Sequence, residues 1–393
     1  MPCSAQSRSP SSPSPDPPLA STFILKIAER CNLSCSYCYM YYKGDTSFTA
    51  RPKFMSSVIA EAMLQRVASY AQRHQLQHIA LALHGGEPLM AGRRWVEWFL
   101  AEARKVAANA NISFKFAIQT NGTLLDKDWL ELLSHYDVLV GISCDGPPQW
   151  HDRDRRDFAG QGSYLKVRRA IDLLAGGHGP RWGVLTVVNP EVRGSTVLKH
   201  FVDIGVRRVD FLWPDYHHDD PPPWPPGALG SYFCELFDYW YGDLQSFPRV
   251  RWLETAINLL MGGGGNFDGL GPHPVTDIMV ESDGTWEPLD ALRICRNGIT
   301  RTGLDVRRHD VESIWRTPLY QIGLKNQELL PKVCESCSFR QVCGGGYLPH
   351  RYRSDTGFCN PSVYCAEILI TLRHIRARII TDLQQVLPNA VLA

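Results

Sequence analysis

The sequence has no surplus of charge of either sign: Lys plus Arg total 41 and Asp plus Glu 40 over 393 residues. A chain so balanced has no global field to gather polyanions, so neither nucleic acid nor a membrane surface is expected as a partner. Nor does it contain an apolar run approaching the roughly 20 residues of a membrane-crossing helix. The opening stretch MPCSAQSRSPSSPSPDPPLA lacks the apolar middle region of a secretory signal, so a cytoplasmic location is expected. Residues 1–20 are also poor in large apolar side chains and rich in Ser and Pro. They cannot offset the entropy of an ordered backbone and read as a disordered tail, with no extra leader-binding domain.

What is present is a 44% hydrophobic content, enough to bury a large core in two or three domains. Twelve cysteines accompany it. In a long chain without an export signal, metal ligation explains them better than a disulfide framework. Nine fall into two groups: Cys31, Cys35 and Cys38, then Cys295, Cys334, Cys337, Cys343, Cys359 and Cys365. Cys3, Cys144 and Cys234 lie outside both and read as tail or small apolar residues.

Six short apolar runs read as strands: 23–29, 78–84, 114–120, 138–143, 182–188 and 206–212. Segments with helical spacing lie between them, such as those from Met55 and Ser163. This β/α alternation implies a parallel sheet, either doubly wound or curved into a full or partial barrel. The pattern breaks after Trp213, because HHDDPPPWPP at 217–226 excludes regular structure. A bridging segment is placed at 241–274, and the cysteine-rich residues 275–393, ending in a helix from about 365 to 386, read as a separate metal-stapled domain.

In RCNLSCSYCYMYY the spacing CxxxCxxC directly follows the first strand. Ligands of parallel α/β domains bind at the carboxyl ends of strands. Three thiolates on one short loop can hold three irons of a cubane and leave the fourth open, whereas zinc asks for four protein ligands.

This signature, with an aromatic before the third cysteine, resembles that of the radical S-adenosylmethionine (AdoMet) enzymes. Supporting motifs follow in order: HGGEP at 84–88, QTNGTLL, SCDGPPQWHDRDR and VDFLWP. The resemblance implies a partial (β/α)6 barrel over about residues 21–240 and a [4Fe-4S] cluster at Cys31, Cys35 and Cys38. It implies AdoMet held by Gly85, Gly86, Glu87, Thr120, Asn121, Ser143, Asp145, Arg155 and Leu212. The two glycines are expected to admit the cofactor, Glu87 to accept from its ammonium group and Arg155 to lie near its carboxylate. It also implies an external electron donor of flavodoxin or ferredoxin type.

The run Cys334-x2-Cys337-x5-Cys343, with Cys365 beyond, resembles the C-terminal SPASM extension and implies one fully ligated auxiliary [4Fe-4S] cluster; a zinc knuckle is the alternative. Where that family expects ligands for a second auxiliary cluster, Leu289 and Tyr347 stand instead. Cys295 and Cys359 remain, either as ligands of an unusual, incompletely ligated cluster or as free or buried thiols. Asp290 aligns with the proton acceptor of the sulfatase maturases; a loop aspartate is the plain alternative.

SPASM extensions imply a peptide substrate. HGGEPLM, VDFLWP, the Pro-rich insert and CGGGYLPHRYRSDTGFCNPSVYC resemble the Xye and Fxs maturases, which join an aromatic ring carbon to a nearby β-carbon in a ribosomally made precursor peptide. The loop 213–226, with Trp213, His217, His218 and Trp224, is expected either to cover the peptide or to pack as a surface loop. Two alternatives stand beside the cross-linking reading: a sulfatase-type maturase, which normally keeps the second auxiliary site, and a non-enzymatic iron–sulfur scaffold or sensor.

Overall fold

The computed structural model describes residues 18–386 apart from 178 and 266. Cys3 and residues 1–17 of the Ser/Pro-rich stretch lie outside the described residues. Among the described residues no helix is long and apolar enough to cross a membrane.

Six parallel strands form the frame: β1 (Thr22–Ala28), β2 (His78–Gly85), β3 (Ser113–Thr120), β4 (Leu139–Ser143), β5 (Trp182–Val187) and β6 (Arg208–Leu212). Their order in the sheet is sequential. With no reversal of order there is no doubly wound switch point, and the sheet curves as a partial (β/α)6 barrel. The helices are α1 (Ser57–Arg73), α2 (Arg93–Ala110), α3 (Lys127–His135), α4 (Pro148–Asp154), α5 (Tyr164–Ala175), α6 (Gly194–Asp203), α7 (Ala228–Tyr241) and α8 (Arg251–Leu260). Local chemistry starts several of them. Ser56 accepts from the Ile59 amide (3.3 Å) at α1, and Asp126 from the Trp129 amide (3.0 Å) at α3. Along α1 the buried residues Ile59, Met63, Leu64 and Val67 recur at helical spacing, which turns one face to the sheet.

The cysteine-rich segment is less separate than its composition suggests. A two-residue strand, β7 (Arg249–Val250), extends one sheet edge beyond β6. At the other edge, β8 (Ile278–Val280) pairs in parallel with β1, Phe23 opposite Ile278, and β9 (Trp286–Glu287) turns back against it. The remaining helices are α9 (Pro318–Leu324), α10 (Lys332–Glu335), α11 (Arg340–Cys343) and α12 (Cys365–Val386). The last packs on α7: Glu367 accepts from the Gly227 and Gly230 amides, both at 2.5 Å. A Cβ at Gly230 would lie 3.0 Å from that of Ile370, so glycine permits the crossing. Barrel and extension thus share buried residues along this seam.

A buried ionic network also joins them. Arg51 pairs with Glu281 (2.7 Å) and with Glu287; Arg293 pairs with Glu281 (2.8 Å) and faces Asp45 at 3.7 Å. Burial and the Glu281 charge push Glu29 upward, while Arg293 and Arg51 hold Glu281 ionised against its own burial. Removing one cation from such a network leaves carboxylates desolvated and unpaired. Arg293→Ala should lose about 3–5 kcal/mol of stability, the range for a broken buried pair, read by anaerobic urea denaturation of the cluster-loaded protein.

Candidate active site

The strand ends of the barrel converge on a cavity of about 400 Å3. Cys31, Cys35 and Cys38 line it from the loop that leaves β1. Gly85 and Gly86 enter from the end of β2, Thr120 and Asn121 from β3, Ser143 from β4 and Leu212 from β6. Arg155, at 8% exposure, joins them rather than standing in solvent.

The cysteine loop folds on itself: the Cys38 amide donates to the Cys35 carbonyl (3.1 Å) and the Tyr42 amide to the Cys38 carbonyl (2.9 Å). The Leu33 amide donates to the Cys31 sulfur (3.3 Å). All three thiols are free of disulfides. Burial pushes Cys31 up to about 12 and Cys35 up to about 11, and their neighbouring cysteines raise both further. Thiolates this costly require cationic compensation. Three of them facing one cavity fit a [4Fe-4S] cluster with an open iron.

Several assigned residues do other work. A Cβ at Gly85 would lie 2.1 Å from the Ala28 carbonyl oxygen, and one at Gly86 2.0 Å from the Tyr41 hydroxyl. These glycines admit the cysteine loop itself against β2. Glu87 is fully buried and is not among the cavity's lining residues. It accepts from the Thr120 hydroxyl (2.6 Å) and the Asn121 and Leu89 amides (2.7 and 3.0 Å), so it fixes the end of β3. Asp145 likewise spends its oxygens on Arg155 (2.8 Å), the Val187 amide (3.0 Å) and Tyr37. It positions Arg155, which lines the cavity and also reaches the Cys35 thiol, while Gln119 donates to Ser143 there (2.9 Å).

Asp290 does reach the cavity. It is ion-paired with Lys26 of β1 and accepts from the Tyr39 hydroxyl at 2.5 Å; Lys26 also lies 3.2 Å from His84 Nδ1. Burial pulls the Asp290 carboxyl up, but Lys26 foremost among the surrounding cations holds it well below the usual carboxylate range. Burial and Lys26 push His84 down to about 3. Lys26, Tyr39, His84 and Gln119 were not singled out from sequence. A lysine amid the apolar run FILKIAE was the available signal, since buried lysines are almost always paired.

In the extension, Cys334, Cys337, Cys343 and Cys365 lie within electrostatic reach of one another, and burial pushes Cys343 up to about 12. Arg351, wholly buried, carries an unpartnered Nη2 and feels the charges of Cys334 and Cys343. A four-thiolate anionic cluster fits that setting. Around the positions of Leu289 and Tyr347, the residues Leu289, Leu292, Leu348, Phe358 and Cys295 form one buried cluster with Tyr347 against it. Cys295 is thus a core residue whose charged neighbours are Asp215 and Asp219. Cys359 is not among the free thiols.

The loop after β6 is pinned rather than loose. Trp213 stacks on Phe233 at 4.5 Å, and His217 and His218 bond to the carbonyls of Ile294 (3.0 Å) and Pro361 (2.8 Å). Beside it a second cavity of about 630 Å3 includes Trp150, Tyr216 and Trp224, and it shares Tyr37, Lys43 and Pro214 with the first.

Residues 25–197 match the family model described as the radical SAM superfamily. The serine-type anaerobic sulfatase-maturating enzyme of Bacteroides thetaiotaomicron is 34% identical over 84% of this chain and 82% of its own. The chain belongs to the radical SAM superfamily. Its cofactors are therefore AdoMet, a radical SAM [4Fe-4S] cluster and auxiliary iron–sulfur. The cysteine-type enzyme of Clostridium perfringens is 27% identical over 89% of this chain and 94% of its own. The solved structure of native anSMEcpe with AdoMet and Cp18Cys peptide superimposes with a TM-score of 0.80, at 25% identity, over 94% of this chain and 100% of that one. Streptococcus suis SuiB with its precursor peptide SuiA shares the fold, with a TM-score of 0.60 at 14% identity over 88% of this chain and 76% of its own.

Cys334→Ala should remove about four irons per chain while 5′-deoxyadenosine formation persists, and Cys35→Ala should remove about as many and abolish it. Iron analysis and chromatography of the two reconstituted variants check this division.

Proposed function

We propose that this radical SAM enzyme modifies a peptide side chain by two-electron oxidation, and that the modification is a carbon–carbon cross-link between an aromatic ring and a nearby β-carbon. When bound, the reduced cluster and AdoMet supply a 5′-deoxyadenosyl radical that removes a hydrogen atom from the substrate. The chain's own residues position and enclose that event. Asp145 and Tyr37 fix Arg155, Glu87 fixes the loop carrying Thr120 and Asn121, and the pinned loop after β6 forms part of the cavity wall. The cavity that shares its wall with this one, with Trp150, Tyr216 and Trp224, offers an aromatic path for an extended peptide. An external one-electron donor completes the cycle.

The observation that carries the cross-linking reading is the apolar cluster of Leu289, Leu348 and Phe358 with Tyr347, in place of the second auxiliary site expected of sulfatase maturases. The relatives favour a second reading, oxidation of Cys or Ser to formylglycine, because the sulfatase-maturating enzymes align along most of the chain with Asp290 in the cavity.

The test is anaerobic turnover of a synthetic panel: peptides with Trp, Tyr or Phe near an aliphatic or polar residue, and a Cys- and a Ser-containing sulfatase-type peptide. Cross-linking should give a product lighter by about two hydrogens, joined at the ring and inert to hydrazide reagents, alongside 5′-deoxyadenosine. Serine oxidation loses the same mass but yields a hydrazide-reactive aldehyde, which would overturn the cross-linking reading.

A further inference from the structure

Whatever residue is oxidised, its radical must surrender a proton and an electron, and a base on the cavity wall is placed to take the proton. Four acids line that cavity, Asp215, Asp268, Asp277 and Asp290; Asp277 is hydrogen-bonded to Thr22 and Asp268 is faced by Arg251. Asp290 is committed: Lys26 pairs with it and Tyr39 donates to it. Asp215 stands opposite, on the loop following β6, and also lines the cavity. Its closest partner among the described residues is His350 Nε2, 3.9 Å away and beyond hydrogen-bond reach. That nitrogen is itself buried without a partner, on a side chain 3% exposed, and it also lines the cavity as a residue. Between them, an uncommitted carboxyl and an unpartnered imidazole nitrogen sit at the wall where substrate must lie.

We propose that Asp215, positioned by His350, accepts the proton that leaves the substrate, while Asp290 remains the fixed anion that holds Lys26 and Tyr39. This rests on the reading above only in requiring a two-electron oxidation, which both readings share. In the cross-linking case the β-carbon's C–H bond breaks and its hydrogen atom goes to the 5′-deoxyadenosyl carbon. The new bond forms to the ring carbon, whose own hydrogen then leaves as a proton to the Asp215 carboxylate. The remaining electron passes to an oxidised [4Fe-4S] cluster. In the sulfatase-type case the proton comes from the substrate O–H or S–H.

The electrostatics agree. Burial, with the Asp290 charge adding and Lys43 opposing, raises Asp215 to about 7, where a base can both take and release a proton at neutral pH. Asp268 also faces it, and His350, pushed down to about 3 by burial with His217 adding, stays neutral and leaves the proton to the carboxyl.

The experiment compares wild type, Asp215→Asn, Asp215→Glu and Asp290→Asn, cluster-loaded, on whichever panel peptide wild type oxidises. Product formed per 5′-deoxyadenosine should rise with pH through about 7 in wild type. Asp215→Asn should keep AdoMet cleavage but lose about 100-fold or more in product and lose that pH limb. Asp215→Glu should restore product with the limb displaced. Asp215→Asn that keeps both the wild-type rate and limb, or a limb that vanishes only in Asp290→Asn, overturns the proposal. If wild type oxidises no panel peptide, the functional reading falls by itself, and pH-titrated infrared spectra of the peptide-free holoenzyme decide the proposal. Glu87, Asp277 and Glu287 titrate in the same range, so the wild-type-minus-Asp215→Asn difference spectrum is read: it should hold one protonated-carboxyl band titrating near 7, and a difference spectrum without that band overturns the assignment.

Discussion

A lysine in the middle of a strand buried on both faces persists only if something opposes its charge. Lys26 is such a residue, and its opposing charge comes from Asp290, which lies far along the chain on the extension rather than the barrel. Tyr39, from the cysteine loop, donates to the same carboxylate and accepts from the same lysine at 2.9 Å. One ion pair therefore fixes three things relative to one another: the first strand, the loop that carries Cys31, Cys35 and Cys38, and the wall contributed by the C-terminal segment. A contact of this kind is weak as a source of net stability, because desolvation offsets much of the attraction. Its value lies in specificity: a displaced loop leaves a buried charge unpaired.

The surrounding network extends that logic. Arg51 and Arg293 face more carboxylates than they can neutralise, and burial resolves the excess by keeping Glu29 protonated. The cavity itself follows the opposite arrangement, with Asp290 saturated by partners and Asp215 left without them. Two chemically identical side chains thus acquire different proton affinities from their neighbours alone, a division of labour familiar wherever paired acids serve one reaction.

The barrel was legible because its signal is local. Strands buried on both faces read as continuous apolar runs, and five of the six began and ended within a residue of expectation; the sixth, 206–212, starts two residues later as Arg208–Leu212. CxxxCxxC was legible for the same reason, as was α12 from Cys365 to Val386. β8 was not: Ile278–Met279–Val280 becomes a strand by pairing with β1, and three residues carry no periodicity to announce it. Glu87 and Asp145 show a different shortfall. Sequence gave their identity and neighbourhood, but orientation decides whether a carboxylate meets a ligand or holds a loop, and both turned inward to backbone amides and side chains. Lys26, Asp215 and His350 acquire meaning only from partners distant in sequence.

The parallel pairing of β1 with β8 also governs how the chain must be made. The first strand emerges early in synthesis, yet one of its two edges finds its partner only after Ile278 has been translated. Until then Phe23, Ile24 and Leu25 present an unsatisfied, apolar ribbon edge, and closing it requires a contact between segments far apart in sequence, the kind that slows folding and exposes intermediates to aggregation. The cysteine loop hangs from that same strand. Its cradle is therefore completed only once the C-terminal segment has docked against β1.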